Sequence, residues 1–271
     1  MATETPIQER EAAFHDAWAC GTRIEDVLVR ECFEAPTALE NQFILRLMGP
    51  LSGKRILDIG AGLGESSVYF ALKGARVTTV DIAPQMVEKA LSLGKRYEIE
   101  LQGIVASADN LSLPDGAYDF IYVANTIHHV QDRDSLFAQM SRALKPGGMF
   151  FSYDPLAYNP VINLYRRMAT RVRTADESPL TTRDIDLARK YFSHVKHREF
   201  WIAGLLLFLK YYLIDGVHPN QDRYWKRILR ERRERLGWWM PLRHLDTILT
   251  RIPLARWLSW NVVLWGVKGV G

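Results

Sequence analysis

Short runs of consecutive apolar residues alternate with stretches whose apolar positions recur every three or four residues, and this alternation fills the chain from about residue 54 to residue 154. "KRILDI", "ARVTTVDI", "ELQGIVASAD", "YDFIYVANTIHHV" and "MFFSYDP" read as strands, the most apolar of them suited to burial on both faces. "ESSVYFALKG", ended by Gly74, "PQMVEKALSLG" and "DRDSLFAQMSRAL" read as amphipathic helices. Pro84 fits the first turn of its helix, where a missing N–H costs nothing. Such an alternation predicts an open α/β sheet with helices on both faces.

The flanks follow other patterns. Residues 9–48 predict two or three helices, with "FHDAWA" and "ALENQFILRLM" at helical spacing and Pro36 breaking the run. Segment 155–181 holds three prolines and a short Arg-rich helix, too polar for core strand. "TRDIDLARKYF" is helical, "SHVKHREFW" is a sixth strand, and "WLSWNVVLWGVKG" is the best remaining strand. The predicted organisation is a helical cover (1–48), an α/β core (49–201) carrying the 155–181 insertion, a helical Trp/Arg-rich insertion (202–255) and a final strand (256–271).

Composition narrows the class. At 271 residues, 48% hydrophobic and 24% charged, the chain supports a large core without staples. Cys20 and Cys32 form no disulfide framework or metal-ligand pattern, which points to a reducing compartment. "MATETPIQER" has neither a basic region nor an apolar run, so no secretory signal is expected and a cytoplasmic location is. The net charge of +4 is unevenly spread: from residue 201 onward twelve Lys and Arg face five Asp and Glu, and seven of the eight tryptophans lie in the same part.

Chemistry concentrates in "DIGAGLG". Gly60, Gly62 and Gly64 occupy the turn from the first strand to its helix, where glycine lets a ligand approach the backbone and the helix start offers free N–H groups. The loop lacks the G-x-G-x-x-G spacing of a dinucleotide fingerprint and the G-K-[ST] of a P-loop. Asp58, just before the glycines, disfavours a pyrophosphate but suits a cationic ligand. Asp81 ends strand two, where a carboxylate can accept both hydroxyls of a ribose; a helix cap or a solvated turn are its plainer readings.

With these residues in hand, the chain resembles the class I S-adenosylmethionine-dependent methyltransferases, in particular the small-molecule branch similar to ubiquinone/menaquinone methyltransferases. "ILDIGAGLG", "TTVDIAPQMVEKA", "ASADNLSLPDGAYDFIYVANTIHHV" and "RALKPGGMFF" carry the resemblance over residues 54–151. It implies a Rossmann-like seven-stranded α/β sheet and S-adenosyl-L-methionine as cofactor, with S-adenosyl-L-homocysteine as product. By the same resemblance, Asp58 and Gly60 to Gly64 accommodate the methionine part and Asp81 the ribose. Ile82 and Met86 border the adenine, Asp109 bonds its amino group with Ala108 offering a backbone contact, and Asn125 faces the sulfonium. The 202–255 insertion departs from a minimal member and leaves the acceptor open.

Methyl transfer needs an aligned nucleophile, excluded water and, for a hydroxyl or protonated amine, a base; no metal is expected. His128 and His129, at the end of strand four, are candidates for that base, with loop packing as the alternative for either. Asp154, Tyr158 and Asn159 emerge from the same sheet edge, with Tyr158 a further catalytic candidate. Tyr165, Arg166, Arg167 and Arg171 suggest an anionic acceptor, with Arg167 and Arg171 expected on one helical face; pairing with Asp176, Glu177 or the amino-terminal helices is the alternative. His15, Trp18 and Asn41 are expected on the opposite wall.

"WIAGLLLFLKYYLI" is too short to span a bilayer. With the following Arg- and Trp-rich segment it reads as a buried cover, a peripheral membrane contact or a homodimer interface. Nucleic acid is not expected: Glu231 and Glu234 interrupt the basic run and no nucleic-acid module is present. The expected function is methyl transfer to an oxygen or nitrogen of a small, partly hydrophobic or anionic metabolite. Carbon methylation, a noncatalytic cofactor-binding scaffold and a Rossmann oxidoreductase are the competing readings.

Overall fold

The computed structural model describes residues 5–174 and 176–270. Helix α1 (Pro6–Gly21) opens on a reciprocal cap, in which Gln8 N donates to Thr5 Oγ1 while Thr5 N donates to Gln8 Oε1. Two further helices, α2 (Glu31–Glu34) and α3 (Leu39–Met48), follow, with Pro36 in the break between them.

The core then alternates as its apolar runs predict: β1 (Arg55–Ile59), α4 (Glu65–Leu72), β2 (Arg76–Asp81), α5 (Pro84–Arg96), β3 (Gln102–Val105), β4 (Tyr118–Ala124), α6 (Arg133–Ala143) and β5 (Leu144–Pro155). Helix α6 is capped by Asp132, whose carboxylate accepts from Ser135 N. The fifth strand begins earlier than "MFFSYDP": it takes in "LKPGG", and its register against β4 breaks between Tyr118 and Phe120.

Beyond β5 come α7 (Pro160–Met168), α8 (Thr182–Tyr191) and β6 (Ser193–Phe200). Then follow α9 (Leu206–Leu213), α10 (Tyr224–Arg227), α11 (Met240–Leu249) and β7 (Asn261–Val267). Among the described residues, seven strands form one sheet in the order β3-β2-β1-β4-β5-β7-β6, parallel except where β7 runs against β5 and β6. Ile56, Leu57, Ile121, Val123, Phe150 and Leu264 are buried along the central strands, each contributing about 1.5–3 kcal/mol. This is the predicted α/β fold, and it places a crevice at the carboxyl ends of β1 and β4, where the strand order reverses.

The long excursion between β6 and β7 buries three of its six tryptophans, Trp201, Trp239 and Trp260. Trp201 and Trp239 are fully buried with ring centroids 5.2 Å apart, and Trp239 Nε1 donates to Gly204 O. Asp246 of α11 accepts from Ala203 N and Gly204 N at 2.6 and 3.1 Å, fastening α11 to the start of α9. Trp238 is the exposed member of this group.

Candidate active site

At the β1–β4 crevice the sheet forms the floor of a cavity, and α1, the α2–α3 segment and residues 225–229 form its roof. The floor is shaped by glycines. Gly60, Gly62 and Gly64 all have φ between 55° and 88°, which L side chains rarely adopt. A Cβ on Gly60 would strike the side chain of Thr126. One on Gly64 would lie 2.7 Å from Ala90 Cα, so this third glycine lets α4 approach α5 and does not line the cavity. Gly62 differs: a Cβ there meets nothing within 4 Å among the described residues, leaving its cavity side open for a ligand against the backbone.

Carboxylates surround this loop. Asp58 is buried and accepts from Ser67 Oγ at 2.7 Å. Burial, reinforced by Glu65 and Asp81 and opposed by the Ser67 bond, pushes its carboxyl up to about 7. Asp81 accepts from Gly62 N at 2.8 Å and Ala83 N at 3.0 Å, and burial raises it as well. Each of its oxygens keeps a lone pair for a ribose hydroxyl. An open glycine face, an acceptor pair at the end of β2 and a second carboxylate suited to a cation fit S-adenosylmethionine.

Ile82, Ala108, Asp109 and Asn125 also line the cavity. Asp109 is heavily engaged: one oxygen accepts from Gln8 Nε2 and Ser107 Oγ at 3.0 and 3.2 Å, the other from Gln131 N and Asp132 N at 3.0 and 2.8 Å. It ties α1 to the loop after β3, and its four lone-pair positions are already taken, which leaves none for the adenine amino group expected there. Met86, expected at the adenine, belongs to α5, is fully buried in the core and does not line the cavity. At the first turn of that helix, its side chain points into packing between helix and sheet.

The two adjacent histidines part company. His128 turns away into the protein, where its Nδ1 lies 2.7 Å from Asp154 Oδ1 and its N–H donates to the same oxygen. Burial holds His128 well below the ordinary imidazole range and pushes Asp154 up to about 8, so burial biases both groups toward their uncharged forms. His129 faces the cavity, with Nδ1 3.1 Å from Glu11 Oε2, an approach too poorly aligned for a full hydrogen bond. His15 Nε2 lies 3.5 Å from the same oxygen. Burial would raise the Glu11 carboxyl, but its contacts with His129 and His15 outweigh that and hold it well below the carboxylate range. Helix α1 thus presents Glu11 and His15, one turn apart, to the end of β4.

Of the expected opposite wall, His15, Trp18 and Asn41 all line the cavity. Asn41 is fixed at both ends, donating to Cys32 O and accepting from Tyr122 Oη at 2.8 and 2.6 Å. Among the described residues, none from 156 to 181 lines the cavity. Asp154 lies behind His128. Tyr158 is exposed and accepts from Thr182 N at 3.1 Å, while Asn159 caps α7 by accepting from Ile162 N at 3.0 Å. Tyr165 packs between Phe208 and Tyr224. Arg167 and Arg171 do not share a helical face: α7 ends at Met168, Arg167 is exposed, and Arg171 donates its N–H to Asn220 Oδ1. Arg166 and Arg173 meet Glu177 instead, and Arg10 pairs with Asp176, which is the ion-pairing alternative.

Sequence reasoning missed Glu11, Trp225 and Lys226. Lys226 pairs with Glu65 at the start of α4, Trp225 stacks edge-on against Trp18 at 5.6 Å, and Thr37 Oγ1 donates to Ile228 O. These contacts hold the late insertion over the glycine loop. The signal for Glu11 was its i,i+4 spacing to His15.

Residues 57–152 match the family described as "Methyltransferase domain". Zea mays phosphoethanolamine N-methyltransferase 1 is 38% identical over 99 residues, 35% of this chain and 19% of that protein. Xanthomonas oryzae ubiquinone biosynthesis O-methyltransferase is 34% identical over 102 residues (37% and 43%), and Tropheryma whipplei demethylmenaquinone methyltransferase is 32% identical over 126 residues (45% and 52%). The chain therefore spans between about a fifth and a half of the length of these curated relatives. Among solved structures, Haemonchus contortus phosphoethanolamine N-methyltransferase 2 aligns with TM-score 0.61 at 17% identity, covering 99% of this chain and 61% of that one. The Bacillus subtilis YcgJ protein aligns with TM-score 0.56 at 19% identity, covering 85% and 98%. At these identities the structures speak to the fold alone. The sheet order, the glycine loop with its two aspartates and the matched residues together identify residues 57–152 as a methyltransferase domain of the class I S-adenosylmethionine-dependent kind.

Proposed function

We propose that the protein transfers a methyl group from S-adenosylmethionine to an oxygen or nitrogen of a small, partly hydrophobic metabolite by in-line displacement. The observation that carries this reading is a single cavity with the glycine loop and Asp81 at one end and His129 with Glu11 at the other. Bound there, the donor supplies an electrophilic methyl on a cationic sulfur. Asp81 holds the ribose hydroxyls, Gly62 leaves room against the backbone, and Asp58 faces the cationic end. Asn125, at the close of β4, borders the reacting region.

His129 is the base in this reading. A carboxylate at Nδ1 favours the tautomer with its proton on that nitrogen, leaving Nε2 to accept the acceptor's proton. Trp18, Trp225 and Leu229 give the roof its apolar character and exclude water from the transfer. That mixture suits an acceptor with an apolar body and one ionisable heteroatom.

The test is incubation of purified protein with isotopically labelled methyl donor and fractionated metabolites, following transfer by mass. Label in a small hydroxylated or amino metabolite, lost in His129→Ala, supports the reading. Binding of S-adenosylmethionine and S-adenosylhomocysteine without turnover on any fraction, or label confined to polynucleotides, overturns it.

A further inference from the structure

Helix α11 closes the insertion over the buried Trp201–Trp239 pair, yet its outer side is not polar. Leu245 and Ile248, three residues apart, share one face of α11, and Ile252 lies in the turn that follows the helix end at Leu249. They are 42%, 60% and 47% exposed, and Leu254, two residues on, is 85% exposed. A contiguous apolar strip of this kind on a folded domain marks a contact surface.

Arg251 adjoins the strip, and Arg243 lies on the opposite side of α11. Arg251 immediately precedes Ile252 and, like Arg46, Arg198 and Arg243, makes no ion pair among the described residues. Arg198 is lowered by burial and then by Arg46 and Arg251, and Arg243 by burial and then by Arg46 and Arg233. These arginines therefore feel one another as like charges. Glu199 opposes this field only weakly at Arg198.

We propose that the α11 face, from Leu245 to Leu254 with Arg251 at its edge, docks peripherally on an anionic lipid bilayer. Apolar side chains enter the acyl boundary while flanking arginines meet phosphates, the arrangement of an interfacial helix. Two features favour lipid over a second copy of the chain. A two-fold contact through this face would set unpaired arginines of one copy against those of the other. The insertion that carries the face also supplies Trp225, Lys226 and Leu229 to the cavity roof, and lipid docking suits the apolar acceptor proposed above, a point that rests on that reading. No helix among the described residues is long and apolar enough to cross a membrane, so the contact is superficial.

Vesicle sedimentation tests this. The full chain is mixed with phosphatidylcholine vesicles with or without phosphatidylglycerol, beside Arg251→Glu and a Leu254→Ser/Ile248→Ser double variant. All three positions are exposed, so donor binding and melting temperature serve as controls for folding. The wild type sediments with the phosphatidylglycerol vesicles, less so at high salt, and each variant loses about tenfold in partitioning while keeping donor affinity. Wild type failing to sediment, variants sedimenting equally, or light scattering showing a dimer that Leu254→Ser/Ile248→Ser dissociates would each overturn the proposal. Because donor binding and methyl transfer are measured separately, these outcomes do not depend on the reaction proposed above.

Discussion

His129 holds its Nδ1 3.1 Å from the Glu11 carboxylate, so helix α1 and the end of β4 meet at one imidazole–carboxylate contact inside the cavity. His128, its neighbour, is joined to Asp154 on the other side of the backbone. Two adjacent imidazoles thus receive different jobs from the direction each side chain takes. His129→Ala should lower kcat about 100- to 10,000-fold, the span for loss of a general base, with little change in melting temperature. His128→Ala should instead unpair buried Asp154 and lower the melting temperature, with a smaller effect on kcat. Steady-state kinetics beside thermal denaturation separates the two; equal kcat losses would show that both act on the reaction.

Asp58 gives donor binding a pH dependence. Its carboxyl, pushed up to about 7 by burial, is largely protonated in the free protein below that pH and charged above it. A cationic sulfonium prefers the charged form, so S-adenosylmethionine affinity should rise from pH 6 to pH 8. S-adenosylhomocysteine, with a neutral sulfur, should show a flatter profile. For stability the sign is opposite: the folded chain holds this proton more tightly than the unfolded one, so the contribution is complete below the ordinary Asp range and is lost as pH rises through about 7. Calorimetric titrations of both ligands across that window check this, and Asp58→Asn should flatten the difference.

Asp81 is asked to hold the ribose while already bracing Gly62 N and Ala83 N. Asp81→Ala should weaken donor binding by about 1.5 to 3 kcal/mol for the lost charged hydrogen bonds, roughly tenfold to a hundredfold in Kd. Asp81→Asn keeps an acceptor oxygen and should fall between. Unchanged affinity in Asp81→Ala would remove the ribose assignment.

Gly64 tests the division of labour within the loop. Its φ of 88° and its closeness to Ala90 mean that Gly64→Ala should cost about 1–3 kcal/mol of stability. Pairing it with Ala90→Gly should recover part of that loss by relieving the contact. Chemical denaturation of the single and double variants decides it; a donor-affinity loss with no stability loss would return Gly64 to the binding surface.

The sheet and the donor end of the site were legible because apolar runs and glycines constrain the backbone locally. β1, β2 and β4 occupy the stretches their apolar runs mark, and the aspartates fall where those strands end. Side-chain direction was less legible. "TIHHV" supplies two histidines, and the choice between them rests on partners at residues 11 and 154, far away in the chain. Arg167 and Arg171 fit a helical spacing, but α7 stops at Met168 and withdraws the second from the face. Met86 and Gly64 belonged to a pattern whose members divide between ligand contact and helix packing. The roof was hardest to see, because Trp225 and Lys226 reach the glycine loop only once α1 and the late insertion are folded together.

Because β7 lies between β5 and β6, the chain must be synthesised through residue 267 before β5 gains its second neighbour and β6 joins the sheet. Until then, Leu156 to Trp260 form a wide loop whose closure is entropically slow. The carboxyl-terminal strand therefore acts as a zipper that commits the sheet and roof together. A ribosome-bound chain ending before residue 261 would expose the flank of β5 and be the species most prone to misassembly.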